Sequence, residues 1–186
     1  MAGKIQTEFI ENFLVVWDPT DGSRLYRQGY YGKPLGIPKP KTMEFNVPLI
    51  LDLMEGLYLA EKRTIAVEEG ARKKKSVNLK TLRQRAHRLY DEFDIKYAVY
   101  RDLRENGLIV TPGIKFGCDF AVYKQGPGVE HAPFMVSVKK AKDEVSATEI
   151  VKTGRLATTV RKRFIIAVPE TGTGKIRYLI FKWFKA

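Results

Sequence analysis

The sequence is poor in cysteine, in histidine and in long apolar runs, and each shortage excludes a class of protein. A single cysteine, Cys118, cannot form an internal disulfide framework and suits a reducing compartment. One cysteine and two distant histidines do not make an ordinary zinc ligand set. No apolar run approaches the ~20 residues of a membrane helix, and the start, MAGKIQTEF, lacks the apolar region of a signal peptide. We therefore expect a cytoplasmic protein with no membrane partner and no cofactor.

Acidic side chains are also scarce relative to basic ones. The 186 residues include 33 Lys and Arg against 21 Asp and Glu, a formal net charge of +12. Such an excess points to a polyanionic partner, most simply a nucleic acid. Charge alone does not separate an enzyme that acts on RNA from a basic ribosome-associated protein or one that is merely soluble. Hydrophobic residues make up 44% of the chain, enough to fill a core.

The length suits one large domain or two small ones. We predict an α+β protein with a small N-terminal domain of mixed helices and strands, residues 1–92, and a C-terminal domain, residues 93–186. No flexible linker marks the boundary near Phe93. After it the pattern predicts helix, strand, strand, strand, helix, strand, strand, with Ser146 and Glu149 as a capping box for the late helix.

In the N-terminal half, local signals predict four elements. They are a hairpin from the apolar stretch 9–17 through the turn Pro-Thr-Asp-Gly at 19–22, a helix opening at Pro48, a strand at 65–67, and a helix from Leu79 to about Phe93 capped by Asn78.

Three titratable side chains of different kinds stand at predicted strand ends and loops. Residues 115–123 alternate with period two, which predicts a half-buried strand that leaves Tyr123 on the face opposite its apolar set. His131 lies in the loop after the turn Gln-Gly-Pro-Gly, and Lys162 lies where a helical pattern gives way to a strand at 164–168. Side chains in such places can converge on a substrate.

Two segments that contain these residues, LRENGLIVTPGIKFGCDFAVYKQGPGVEHAPFMV and TGRLATTVRKRFIIAV, resemble the archaeal-type tRNA-splicing endonuclease family. The resemblance covers most of the chain after about Tyr97 and, more weakly, the first half. It implies a C-terminal nuclease domain with a central mixed sheet flanked by helices. It also implies a tRNA-intron lyase that excises introns from precursor tRNA at bulge-helix-bulge sites. In that family's order and spacing, Tyr123 matches the general base, His131 the general acid and Lys162 the stabiliser of the transition state.

The chemistry implied is metal-free attack by the RNA's own 2′-hydroxyl, which leaves a 2′,3′-cyclic phosphate and a 5′-hydroxyl. An imidazole, with an ordinary pKa of ~6.5, can donate a proton near neutral pH, and an ammonium can stabilise developing negative charge. A phenol, with an ordinary pKa of ~10, is a poor base at neutrality unless nearby cations favour the phenolate. Tyr123 is therefore either the base or a group that positions the 2′-hydroxyl. Taken singly, each of the three residues has an ordinary structural explanation; the combination favours the functional one.

Four further basic residues are candidates for RNA binding. By the same resemblance, Arg155 and Arg177 match arginines that sandwich a bulged base. The structural alternatives are an exposed helix residue for Arg155 and a cross-strand ion pair for Arg177. The loop at 33–45, rich in lysine and proline, is either a solvated connector or an RNA contact made through Lys39 and Lys41.

One rival function lacks part of its pattern and a second stays open. A metal-dependent nuclease of the restriction-enzyme type needs a second acid, but Asp119 is followed on the next strand by Ser137-Val138-Lys139, so its pattern is incomplete. The other rival is a non-catalytic RNA-binding or scaffolding subunit of a splicing endonuclease. The resemblance also implies a tetramer, either a homotetramer or an α2β2 assembly with a structural subunit, in which the apolar last strand, KIRYLIFKWF, takes part.

Overall fold

The computed structural model describes residues 3–70, 72–159, 162–170 and 172–181, with the backbone alone at 152, 153 and 156–159. The chain divides into two compact units, Met1–Phe93 and Asp94–Ala186. Each unit has a mixed sheet and helices, so the predicted α+β class is confirmed. Within the described residues, no helix is both long and apolar enough to cross a membrane.

The first unit is a six-stranded sheet with three helices. Its elements are β1 (Ile5–Ile10), β2 (Phe13–Val16), α1 (Pro19–Gly29), β3 (Lys33–Pro34), β4 (Leu49–Leu51), α2 (Leu53–Glu61), β5 (Ile65–Glu69), β6 (Lys75–Ser76) and α3 (Leu79–Leu89). The strand order is β3-β4-β2-β1-β5-β6, and only the β1–β5 pair is parallel. Helix α2 packs on β2 and β5 and contributes Leu53 and Leu57, both fully buried, to the core.

Two N-terminal predictions were wrong about where a helix begins. The stretch 19–22, predicted as a hairpin turn, is the first turn of α1, because the Asp18 side chain accepts a hydrogen bond from the Asp21 amide at 2.9 Å and Pro19 takes the first helical position. The hairpin is instead β1–β2. The helix predicted from Pro48 begins at Leu53, since Asp52 and Glu55 form its capping box and the residues before them form β4.

Two other N-terminal predictions are confirmed. The strand expected at 65–67 is the start of β5. Asn78 caps α3 by accepting a hydrogen bond from the Thr81 amide at 2.9 Å, although α3 ends at Leu89 rather than near Phe93.

The second unit follows the predicted order of elements. They are α4 (Phe93–Glu105), β7 (Ile109–Pro112), a 3₁₀ turn (Ile114–Phe116), β8 (Phe120–Tyr123), β9 (Phe134–Val138), α5 (Ala147–Thr159), β10 (Arg163–Pro169) and β11 (Ile176–Phe181). The sheet order is β11-β10-β9-β8-β7; β9 and β10 are parallel and the other pairs antiparallel. Ser146 caps α5 by accepting a hydrogen bond from the Glu149 amide at 3.1 Å, and the Glu149 side chain lies 3.1 Å from the Lys139 Nζ.

Side chains cover both faces of this second sheet. On one face, Tyr100 of α4 packs on Phe120 with ring centroids 6.1 Å apart, and Tyr178 of β11 donates a 2.6 Å hydrogen bond to Asp102 of α4. On the other face, a buried cluster of Met135, Phe164 and Ile166 is packed against Phe116, Cys118, Val145, Val168 and Phe181. The central mixed sheet flanked by helices that we predicted is therefore present.

The strand predicted at 115–123 forms only in its second half. Residues 114–116 make a 3₁₀ turn that ends at Gly117 with φ 65°. A positive φ suits glycine and breaks the extended pattern. Because of this turn, Phe116 and Cys118 reach the cluster on the opposite face from Phe120, although the alternation had placed them together.

The position of Cys118 makes it chemically inert. Burial raises the pKa of its thiol from 9.0 to about 11, with a smaller contribution from Asp119. A rise of this size lowers the thiolate fraction at pH 8 about a hundredfold. We expect iodoacetamide to alkylate Cys118 about a hundred times more slowly in the native protein than in guanidinium chloride, as followed by mass spectrometry. Equal rates in the two states would contradict this environment for Cys118.

Candidate active site

Tyr123 is the last residue of β8 and is half-buried. Its strand pairs with β9 so that Ala121 lies opposite Met135, and β10 places Phe164 beside Met135. Since side chains alternate along a strand, Tyr123 points to the same face as Ala121, Met135 and Phe164. This face is opposite to that of Phe120 and Val122, as the sequence predicts.

His131 lies in the connection between β8 and β9 and is exposed. The connection turns through Gly126, at φ 127°, and Gly128, at φ 91°. Both are conformations that residues with a Cβ adopt only under strain. The glycines of the Gln-Gly-Pro-Gly sequence therefore allow the loop to double back and return His131 to the sheet edge.

Lys162 immediately precedes β10 and is held on two sides. Its Nζ donates a hydrogen bond to the carbonyl oxygen of Ala132 at 2.7 Å and lies 4.9 Å from the centroid of the Phe116 ring. Partial burial lowers the pKa of Lys162, because removal of water disfavours the ammonium.

The strand directions bring the three residues to one edge of the sheet. β8 is antiparallel to β9, so the end of β8 adjoins the start of β9, and β10 is parallel to β9 and starts at the same edge. The Arg163 amide donates to the carbonyl oxygen of Pro133 at 2.8 Å, which brings Lys162 beside the last residues of the loop. With neighbouring strands ~4.8 Å apart, Tyr123 and Lys162 stand roughly 10 Å apart along the edge, and the loop bearing His131 enters between them.

Arg177 is not brought to this edge. It lies opposite Val168 near the far end of β10, about 20 Å along the strand from Lys162 at ~3.3 Å per residue. Its guanidinium donates to Glu170 and its side chain is 76% exposed. The hydrogen bond from Arg177 is the first cause of the lowered pKa of Glu170. The ion pair that we weighed as the structural alternative for Arg177 is thus present.

The other predicted RNA-binding residues are exposed. Arg155 lies on α5, whose last residue precedes Lys162 by three positions. Lys39 and Lys41 lie in the loop between β3 and β4 of the first unit. Their roles in binding stay predictions.

Asp119 has structural partners on both carboxylate oxygens. One oxygen accepts the Val138 amide at 2.8 Å, and the other lies 3.0 Å from the Lys96 Nζ. Over the part of the chain that the structure describes, no three His, Cys, Asp or Glu side chains form a group able to hold a metal ion.

Sequence analysis missed Glu130. Its carboxylate accepts hydrogen bonds from the backbone amides of Lys124 and Gln125, directly after Tyr123. A glutamate beside a histidine, five and six residues after the two amides that it binds, carries no signal in the sequence, because the contact depends on the shape of the intervening turn.

Comparison with known families accounts for both units. The family model described as the N-terminal domain of tRNA intron endonuclease matches residues 5–82. The model described as the catalytic C-terminal domain of tRNA intron endonuclease matches residues 93–178.

Three similar archaeal proteins carry the name tRNA-splicing endonuclease. The protein from Hyperthermus butylicus is 49% identical over 173 residues, 92% of this chain and 93% of the relative. The protein from Sulfurisphaera tokodaii is 40% identical over 179 residues, 96% of this chain and 98% of the relative. The protein from Sulfolobus acidocaldarius is 39% identical over 182 residues, 97% of this chain and 99% of the relative.

Proposed function

Since this chain belongs to the tRNA intron endonuclease family and carries both of its domains, we propose that it excises introns from precursor tRNA at bulge-helix-bulge sites. It is an enzyme, a tRNA-intron lyase. The observation that carries the finer proposal is the strand register, with the hydrogen bonds of Lys162 and Arg163 to the loop after His131, which together bring Tyr123, His131 and Lys162 toward one sheet edge. In this proposal the gathered side chains act on a single phosphate of the RNA.

The proposed reaction is an in-line displacement within the RNA. The 2′-oxygen of the nucleotide before the cut bonds to phosphorus while the bond from phosphorus to the 5′-oxygen breaks. The proton of the 2′-hydroxyl passes to the Tyr123 phenolate or, if Tyr123 only positions the hydroxyl by a hydrogen bond, to solvent water, and His131 gives a proton to the 5′-oxygen. The products are a 2′,3′-cyclic phosphate and a 5′-hydroxyl, and the proposed reaction uses no metal ion.

Lys162 supplies positive charge where negative charge builds up on the phosphate. Stabilisation of this kind is strongest where the charged group is held in place and shielded from water. The hydrogen bond to Ala132 and the Phe116 ring provide both conditions for the ammonium. The same hydrogen bond joins Lys162 to Ala132, the residue after His131. One contact therefore helps to position both the proposed general acid and the charge that stabilises the transition state.

The test is cleavage of an intron-containing precursor tRNA in EDTA, with analysis of the new RNA ends. We expect cleavage at both bulges to give cyclic phosphate and 5′-hydroxyl ends at an unchanged rate. Loss of cleavage in EDTA would favour the metal-dependent nuclease. Failure to cleave with every candidate partner subunit would favour the second candidate, a non-catalytic RNA-binding or scaffolding subunit of the same complex.

RNA binding is proposed to use the exposed basic side chains Arg155, Arg177, Lys39 and Lys41. Each phosphate contact contributes about one counterion to the salt dependence of binding. We expect Arg155→Ala with Arg177→Ala, and separately Lys39→Ala with Lys41→Ala, to weaken binding and to flatten the plot of log affinity against log salt by about 1 to 2 in slope. Lys142→Ala with Lys115→Ala, a pair of lysines outside these sets, serves as the control. Unchanged affinity in either double variant removes that pair from the binding surface.

The proposed assembly is a tetramer, either of four identical chains or of two such chains with two structural subunits, acting in the cytoplasm. Its support is β11, an edge strand of the second sheet with no further strand beside it in the described residues. Leu179 and Ile180 on this strand are 52% and 51% exposed. Apolar edge strands invite pairing with another chain. Native mass spectrometry, alone and with candidate subunits, distinguishes the two assemblies.

A further inference from the structure

The loop that carries His131, residues 124–133, is tied to the sheet edge at both of its ends. At its far end, the carbonyl oxygens of Ala132 and Pro133 accept hydrogen bonds from Lys162 Nζ and the Arg163 amide. At its near end, the tie is made by a side chain from within the loop. That side chain is Glu130, the residue next to His131.

Glu130 binds two successive backbone amides with one oxygen. Its Oε1 accepts from Lys124 at 2.5 Å and from Gln125 at 2.6 Å. Two adjacent amides that point at one site form a concave anion-binding nest, and a carboxylate makes a shorter and stronger hydrogen bond there than a neutral acceptor. These hydrogen bonds, with the one to Gln125 first, lower the pKa of Glu130, so the side chain is ionised in the working protein.

The backbone of Glu130 closes the same ring. Its amide donates to the carbonyl oxygen of Gly126 at 3.1 Å, and the Val129 amide donates to the same oxygen at 3.3 Å. A bridge between Pro127 and Glu130 completes the turn. The side chain and the backbone of one residue thus fold the loop onto the residues that directly follow Tyr123.

Resting on the proposed function, we infer that Glu130 is a positioning residue that fixes His131 relative to Tyr123. It touches neither RNA nor a reacting atom in this role. Glu130 acts by holding His131, the next residue in the chain, close to the two residues that directly follow Tyr123. Catalysis is sensitive to such placement, since a displacement of about 1 Å in a reacting group can cost about a hundredfold in rate.

The test compares Glu130→Ala, Glu130→Gln and the control Glu144→Ala, which removes an exposed glutamate of the same unit outside the site. We expect Glu130→Ala to lower the single-turnover cleavage rate about 10- to 100-fold with an unchanged half-saturating protein concentration. Glutamine keeps an oxygen that can accept both amides but lacks the charge, so Glu130→Gln is expected to cleave at a rate between those of Glu130→Ala and wild type. Glu144→Ala is expected to match wild type.

Amide hydrogen exchange gives a readout that needs no RNA. The amides of Lys124 and Gln125 are expected to exchange about ten times faster in Glu130→Ala than in Glu130→Gln or Glu144→Ala. Unchanged exchange, wild-type cleavage by Glu130→Ala, or equal losses in the alanine and glutamine variants would each overturn the inference. If wild type cleaves no bulged RNA either alone or with its candidate partner subunits, the proposed function fails, and the exchange rates alone decide whether Glu130 holds the loop.

Discussion

Replacement of His131 by alanine is expected to slow cleavage of a precursor tRNA by about 10²- to 10⁴-fold, the range that a general acid contributes. The departing 5′-oxygen must gain a proton as its bond to phosphorus breaks, and His131 is the exposed imidazole at the edge where Tyr123 and Lys162 stand. Because His131 is exposed and forms no part of the core, the fold should be unaffected. Single-turnover rates with saturating protein measure this effect free of product release.

The chain offers a matched control for this variant. His87, the other histidine, lies on α3 of the first unit with its ring 5.1 Å from that of Phe93. His87→Ala is expected to cleave at the wild-type rate. A His131→Ala variant that retains more than a third of the wild-type rate would show that another group protonates the leaving oxygen.

Replacement of Lys162 by alanine is expected to lower the single-turnover rate by about 10²- to 10³-fold, a loss typical of removing one group that stabilises transition-state charge. Lys162→Ala also removes the 2.7 Å hydrogen bond to Ala132 and the contact with the Phe116 ring, so a loosened loop is a second source of rate loss. Loss of a charge that acts on the transition state lowers the rate of the chemical step more than it lowers RNA affinity. Thermal denaturation and equilibrium binding, measured on the same preparations, separate these effects.

Arginine at position 162 tests whether charge or placement matters. Lys162→Arg keeps a positive charge, but a planar guanidinium cannot replace the compact ammonium that lies 2.7 Å from the Ala132 oxygen. We therefore expect Lys162→Arg to recover the cleavage rate only in part. Lys142→Ala, at an exposed lysine of the same unit, is the control and should cleave as wild type. If Lys162→Ala loses affinity but not rate, Lys162 is a binding residue and not a stabiliser of the transition state.

The candidate site was accessible to sequence analysis where chemistry and order carry the signal. A tyrosine at a strand end, a histidine in a glycine-rich loop and a lysine before a strand could be singled out because their order and spacing resemble those of the tRNA-splicing endonuclease family. The sequence does not reveal which strands are neighbours or which of them are parallel. Only the parallel pairing of β9 with β10 brings Lys162 to the edge that holds Tyr123, although 39 positions separate the two residues.

The wrong predictions of helix and strand boundaries have a common cause. Each rests on a short sequence motif that is compatible with two different local structures. The residues Pro-Thr-Asp-Gly at 19–22 are typical of a turn, but the Asp18 side chain accepts a hydrogen bond from the Asp21 amide and so caps a helix. Pro48 is typical of the first turn of a helix, but the helix begins after Asp52, where Asp52 and Glu55 form a capping box. The alternation of apolar and polar residues at 115–123 runs past Gly117 in the sequence. In the structure, the left-handed backbone of Gly117 interrupts the strand.

Glu130 and Arg177 show what depends on the folded chain alone. The contact of Glu130 with the amides of Lys124 and Gln125 exists only once the turn has formed. The distance of Arg177 from the site follows from the antiparallel return of β11 along β10. Spacing in the sequence, fifteen residues after Lys162, gives no indication that this arginine lies at the opposite end of the strand.

The central claim is that a phenol, an imidazole and an ammonium act on one phosphate. The most direct measurement is a crystal structure of the protein with a bulge-helix-bulge RNA in which 2′-deoxy nucleotides precede both cuts, so that neither can be cleaved. We predict the Tyr123 oxygen near the missing 2′-oxygen, a His131 ring nitrogen at the 5′-oxygen and the Lys162 Nζ at a non-bridging oxygen, each within about 3.5 Å. If any of the three side chains contacts a different phosphate or points away from the RNA, the account is contradicted.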